Sequence, residues 1–283
     1  MSRQDALTQR QNTMLLSTQR SLPHASAALA CLLFSAWFSA AHAQPSDSAV
    51  RNIVLVHGAF ADATSWSKVI PLLEADGYHV LAVQNPLTSL AADVGATKRA
   101  VARQDGPVLL VAHSWGGVTM TQAGDDPKVV GLVYVSAYAP DVGQSANDAS
   151  SPYGWTEGQK QIRLDRAKFA LMTYQGISED IAECLSATDQ KLFNVVQVPS
   201  YGPMFDEKIT VAAWKTKPSW VLISANDRML PPAMEKAEVR RLNAVASITL
   251  QTCHMSILEQ ATKVAAFIDA AAKSVRSNET DRR

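Results

Sequence analysis

Several separate stretches of this 283-residue chain carry residue types that can attack and turn over a carbonyl group. The first is Gly106–Gly117, GPVLLVAHSWGG. An apolar run, Val108–Ala112, leads straight into Ser114, two glycines follow, and helix-like sequence begins at Val118. A strand that ends in x-Ser-x-Gly and turns sharply into a helix holds the serine hydroxyl above the sheet edge, with the next backbone N–H aimed at the same point. Small residues flank such a turn because strand and helix backbones pass close together. Ala112 stands here where glycine is usual. Taken alone, the pentapeptide is equally an ordinary serine in a Gly-rich turn, so partners must come from elsewhere in the chain.

A serine hydroxyl needs a base, and the base needs an orienting acid. Beyond residue 43 the chain has four histidines. His113 precedes Ser114 in an extended segment, so its side chain is expected on the opposite side. His57 belongs to a His-Gly turn after the first strand, and His79 lies at the wrong end of its strand. His254 follows the last strand, at the right end, and is left as the base. The acid is expected between serine and histidine in the chain. Asp227 directly follows an apolar strand and is favoured; Asp141, after the strand Val129–Ser136, is the competitor. Acyl transfer also needs donors for a developing oxyanion. The Trp115 N–H is one, and the His57-Gly58-Ala59 turn offers the Ala59 N–H as the other, with Gly58 allowing close approach and His57 bracing the turn.

The elements that must position these residues alternate. Apolar strands are expected at Ile53–Val56, His79–Val83, Val108–Ala112, Val129–Ser136, Trp220–Ala225 and Ser247–Leu250. The helices between them are expected from Thr64 or Ser65 to Asp76, over Ala92–Gln104, from Trp115 to Gly124, and from Pro231 and Pro232 to Leu242. A closing amphipathic helix is expected over Ile257–Ala272. Short, fully apolar strands alternating with helices predict a mostly parallel sheet covered on both faces. Ligands of such sheets sit beyond the carboxyl ends of the strands, where His57, Ser114, Asp227 and His254 all fall. The core is therefore expected over 51–141 and 217–273. Between them, 142–216 breaks the alternation, with helix-like runs at Glu157–Tyr174, Glu179–Leu185 and Gln190–Val195 and many aromatics. It reads as an inserted helical cap, since it is too long for a loop. Residues 274–283 read as a polar, disordered tail.

The stretches IVLVHGAFADATSW, VLLVAHSWGG, LVYVSAYAPD, ANDRMLPP and CHMS together resemble the α/β-hydrolases of the plant methylesterase and hydroxynitrile-lyase type and their bacterial relatives. The resemblance covers nearly all of Arg51–Ala272 and is least distinctive in the cap. It implies Ser114, Asp227 and His254 as a triad and Ala59 with Trp115 as oxyanion hole, serving small-molecule esters. Cys253, just before the histidine, departs from the commoner Gly or Ser. The lyases of this type carry Thr at the position of Gly58 and Lys at that of Met255, so the resemblance leans toward ester hydrolysis. A lyase or lactonase on the same triad, or a non-catalytic ligand-binding protein of this fold, are the alternatives.

Composition fits an enzyme of small molecules. The chain is 47% hydrophobic with no net charge, long enough for one large α/β domain, and its aromatics are not interleaved with a basic patch of the kind that binds nucleic acid. No metal-ligand spacing and no dinucleotide fingerprint are visible, so no cofactor is expected. Residues 1–43 read as a secretory leader. Arg3, Arg10 and Arg20 precede an apolar run, Ala27–Ala41, and Ala41-His42-Ala43 is a small-x-small cleavage site. The run is too short for a comfortable membrane span. The expectation is an exported protein, periplasmic or secreted, cleaved near Ala43 and followed by a linker over 44–50. Two cysteines then remain, Cys184 and Cys253. They permit either two buried thiols or one disulfide that would tether the cap to the loop carrying His254.

Overall fold

The computed structural model describes residues 50–280, with side chains through 275. The expected leader and its cleavage site lie outside them, as does all of the linker but its last residue. Six strands form one sheet: β1 (Asn52–Val56), β2 (His79–Val83), β3 (Val108–Ser114), β4 (Val129–Ala137), β8 (Ser219–Ser224) and β9 (Ala246–Leu250). Their order is β2-β1-β3-β4-β8-β9, and each neighbouring pair is parallel. The remaining strands, β5 (Ile162–Leu164), β6 (Phe169–Met172) and β7 (Ser200–Tyr201), make a small antiparallel sheet in the segment between β4 and β8. No helix among the described residues is long and apolar enough to cross a membrane.

Strand β3 shows why the sheet is so apolar. It is buried along its whole length, and its residues alternate between two cores, as the period of two requires. Leu109 and Val111 join one core with Leu73, Val264 and Phe267 of the helices Ile70–Ala75 and Ala261–Thr280. Val108, Leu110 and Ala112 join the other with Ala96, Ala100 and Val101 of the helix Leu90–Ala102. A strand covered on both faces has no side that meets solvent.

Several local expectations change, among them the run Glu179–Leu185, where the structure has a π-helical turn over Ile177–Ile181 instead. The helix expected from Thr64 or Ser65 to Asp76 is broken into a 3-10 turn, Ala63–Trp66, capped by Asp62, and a helix, Ile70–Ala75. Pro71 explains the restart, because a residue with no N–H fits only the first turn of a helix. The run Glu157–Tyr174 is not one helix. It holds a four-residue helix, Glu157–Lys160, and the hairpin β5–β6, whose turn residue Lys168 has φ 69. The closing helix expected over Ile257–Ala272 is split at Gln260 into Ser256–Glu259 and Ala261–Thr280, and the second part runs on through the start of the expected tail. Val275 is buried in the core, so the helix face still has apolar surface to cover there.

Candidate active site

The register of the sheet brings the candidate residues to one edge. Val56 of β1 pairs with Ala112 of β3, so Gly58 and Ser114 each stand two residues past a paired position on adjacent strands. The chain reverses direction across the sheet between β1 and β3, the position at which open α/β sheets leave a crevice. Ser114 has φ 55, a left-handed conformation that serine rarely adopts, and is almost buried. The turn is packed backbone against backbone. A Cβ on Gly116 would lie 2.6 Å from the Val56 carbonyl oxygen, and one on Gly117 would lie 2.1 Å from that of Tyr138. The two glycines after Ser114-Trp115 thus let the following helix, Gly116–Ala123, start between the ends of β1 and β4. A Cβ on Gly58 would lie 2.7 Å from the Ser114 Cβ and 3.2 Å from its Oγ.

His57 sits beneath this turn. Its Nε2 accepts from the Asn85 N–H at 2.9 Å, which puts its proton on Nδ1, and Nδ1 donates to the Gly58 carbonyl at 2.8 Å. That carbonyl belongs to the same peptide as the Ala59 N–H. In a trans peptide the two point in opposite directions, so a grip on the carbonyl fixes the aim of the N–H. Burial pushes the His57 imidazole below its ordinary value, which keeps it neutral and in this tautomer.

On the other side, β8 delivers Asp227 and β9 delivers His254. The His254 Nδ1 meets the Asp227 Oδ2 at 2.6 Å, with the residues 1% and 6% exposed. The second oxygen of Asp227 accepts from the Met229 and Leu230 N–H groups, both at 2.7 Å, so its direction is locked. Asp141 is elsewhere: it pairs with Lys215 at 2.5 Å on the surface. Burial, with the charges of Asp227 and Glu238 adding to it, pushes the Glu235 carboxyl well above the usual carboxylate range.

One feature was not legible beforehand. His113 does not simply point away from the site. Its Nε2 donates to the His254 carbonyl at 3.0 Å, and its ring centroid is 4.5 Å from that of His254. Alternation along β3 carries its side chain to the face over which the last loop folds, and only the tertiary path of that loop makes the contact. Of the two states the sequence left open for Cys184 and Cys253, the structure has the disulfide, spanning 69 residues with a Cα–Cα distance of 5.7 Å. It ties the inserted segment to the residue before His254.

The chain matches the alpha/beta hydrolase family over residues 53–267. It is 34% identical over 152 residues to a probable hydrolase of Phoma sp., covering 46% of this chain and 62% of that one. It is 31% identical over 128 residues to methylesterase 2 of Arabidopsis thaliana, covering 37% and 49%. The matches thus span less than two thirds of either relative. Among solved structures, polyneuridine aldehyde esterase superposes with a TM-score of 0.70 at 19% identity, over 78% of this chain and 99% of that one, a likeness of fold. The family match runs from β1 to the closing helix and takes in both sides of the strand-end crevice: the chain belongs to the alpha/beta hydrolase family.

Proposed function

We propose that the protein is an exported serine carboxylester hydrolase that cleaves small to medium esters through an acyl-enzyme. Ser114 is the nucleophile, His254 the base and Asp227 the acid that orients it, with the Ala59 and Trp115 N–H groups as oxyanion donors. The observation that carries this is the buried 2.6 Å contact between His254 Nδ1 and Asp227, at the strand edge where Ser114 is held in a left-handed turn. With Nδ1 engaged, Nε2 is the nitrogen that takes the serine proton. Ser114 Oγ adds to the ester carbonyl, the oxyanion is met by the two N–H groups, and His254 returns the proton to the departing alcohol. Water then repeats the sequence on the acyl-enzyme. A carboxylate so firmly directed keeps the imidazole in the productive tautomer and stabilises the imidazolium that forms.

Gly58 and Met255 favour hydrolysis over cyanide release from a hydroxynitrile. The space a side chain on Gly58 would take is directly over the Ser114 Cβ and Oγ, where a carbonyl oxygen must enter. Met255 is buried and offers no cation to a leaving anion. Export is supported by the leader-like sequence of residues 1–43 and by the Cys184–Cys253 bond, since disulfides persist in oxidising compartments. Steady-state hydrolysis of a p-nitrophenyl acyl series tests the proposal. Turnover is expected with the wild-type protein, and its loss, together with loss of fluorophosphonate labelling, in a folded Ser114→Ala variant. Labelling that survives the substitution refutes the nucleophile. Ser114-dependent cyanide release from mandelonitrile without hydrolysis of any ester in the series refutes the reaction class. N-terminal sequencing of the exported protein, expected to begin at or near Gln44, tests the localisation.

A further inference from the structure

The oxyanion side of the site rests on a residue that strains the backbone. Phe60, directly after Ala59, has φ 61. Bulky side chains rarely adopt this conformation, and such residues persist only where their surroundings over-determine them. For Phe60 three contacts do so, and all come from one short stretch of the inserted segment. The Phe60 N–H donates to the Ser200 Oγ at 3.0 Å, and its carbonyl accepts from the Val198 N–H at 3.3 Å. Its ring packs against Phe205 at a centroid distance of 6.2 Å. Phe205 also meets the Trp115 ring edge-on at 5.3 Å, so one cap side chain touches one donor residue, Trp115, and the neighbour of the other. The same stretch is stitched to the next loop, with the Tyr201 N–H on the Leu87 carbonyl at 2.8 Å and the Leu90 N–H on Glu207 at 3.0 Å.

We infer that Ser200 is a positioning residue for the oxyanion site, acting through the Phe60 peptide on the aim of the Ala59 N–H. This rests on the hydrolase reading above. The Ala59 N–H lies in the peptide whose carbonyl His57 grips. The next peptide contains the Phe60 N–H, and Ser200 grips that. With both planes held, the two torsions of Ala59 have no room to rotate its N–H away from the crevice. Ser200 is 0% exposed, and its hydroxyl donates in turn to the Val198 carbonyl at 3.4 Å, so its own orientation is fixed. Without the hydroxyl, the Phe60 N–H has no acceptor at that position, and the left-handed turn loses the contact that most directly opposes its relaxation. The inserted segment is thereby part of the catalytic geometry and not only a cover over the crevice.

The test compares the purified wild-type protein with Ser200→Ala and Ser200→Thr. Two quantities are read: kcat and KM for p-nitrophenyl acetate, and Ki for an aryl trifluoromethyl ketone. Ser114 Oγ adds to that ketone, the carbonyl π electrons pass to its oxygen, and the serine proton passes to His254, so binding reports the oxyanion directly. Ser200→Ala is expected to lower kcat by about 10- to 100-fold and to raise Ki by a similar factor, with KM within about two-fold, the pattern of a misaimed oxyanion donor. Ser200→Thr, which keeps the hydroxyl, is expected to recover both. A Ser200→Ala protein with wild-type kcat and Ki overturns the inference, whatever happens to its Tm, because a purely structural role moves only stability. If Ser200→Ala does not fold, Ser200→Cys, which fills the same space with a poor acceptor, is read the same way. A wild-type protein without Ser114-dependent hydrolysis refutes the hydrolase reading itself, which is a separate result.

Discussion

The two halves of the crevice are held by different physics. The serine half, Gly58 with Ser114 and Trp115, is fixed by exclusion: backbones touch, glycines occur where a Cβ would collide, and adjacent buried strands set the spacing. The histidine half, Asp227 with His254, is fixed by directed bonds: two N–H groups on one carboxylate oxygen, the imidazole on the other, the His113 clamp, and a disulfide to a segment 69 residues away. Exclusion tolerates no added atom but survives loss of a bond. Directed bonding tolerates shape changes but fails when a partner is removed. The two halves should therefore break in opposite ways.

The largest effect is expected from removing a directed bond. Asp227→Asn keeps the volume and loses the charge, and kcat for p-nitrophenyl esters should fall by about 10⁴-fold, because the histidine is left in the wrong tautomer. Asp141→Asn, which disturbs the pair with Lys215 away from His254, should leave kcat within a small factor; the reverse ranking would move the acid. Next comes one added atom in the packed half. Gly58→Ala puts a Cβ 2.7 Å from that of Ser114, and a displacement of that order should cost about 10²-fold in kcat. Wild-type rates in Gly58→Ala would mean that the turn yields and that exclusion is not what holds it.

A smaller change in rate is expected from the long-range tie. Replacing Cys184 and Cys253 by Ser should lower activity at 25 °C only a few-fold, since Asp227 and His113 still hold His254. The loop-closure entropy of a 69-residue span corresponds to about 4 kcal/mol of stability, read as a fall in Tm on thermal denaturation. Unchanged Tm would show that the tie adds nothing. The least effect concerns one buried acid, Glu238. Burial pushes Glu238 from 4.5 up to about 7. A carboxyl raised in the folded state contributes stability that is full below pH 4.5 and is lost as pH rises through about 7, at most about 3 kcal/mol. From pH 5 to pH 8, wild-type Tm should thus fall relative to that of Glu238→Gln, which can still accept from the Ala139 N–H, as followed by calorimetry.

The same division explains what the sequence disclosed. Exclusion writes itself locally: Gly58, Gly116 and Gly117 are small because of what would touch a Cβ there, and the apolar runs of β1 and β3 are what burial on two faces demands. The parallel sheet and the elbow are accordingly readable from short windows. Asp227 and His254 are readable as strand-end residues, but their contact depends on where two loops return after separate excursions. His113 illustrates the limit. The alternation that puts it off the serine's side is correct, and what it meets there is decided by a loop 141 residues later. The inserted segment failed most. Glu157–Tyr174 has helix-like composition, yet its hairpin is set by the turn at Lys168 and by pairing with Ser200 and Tyr201, beyond the reach of any local window.

The stitching of Val198–Glu207 to the loops after β1 and β2 bears on how such proteins can be recombined. By chain order, an exchange of caps between homologues would cut after β4 and before β8, carrying everything between as one cassette. The contacts set another seam. Val198, Ser200, Tyr201, Phe205 and Glu207 are matched to Phe60, Leu87, Leu90 and Trp115 of the recipient, not to the rest of the cassette alone. A chimaera whose downstream crossover falls near Gln197 leaves that partnership intact, whereas one crossing over next to β8 grafts in a foreign brace. In a shuffled library, survivors should therefore inherit 198–207 together with the His-Gly turn from a single parent.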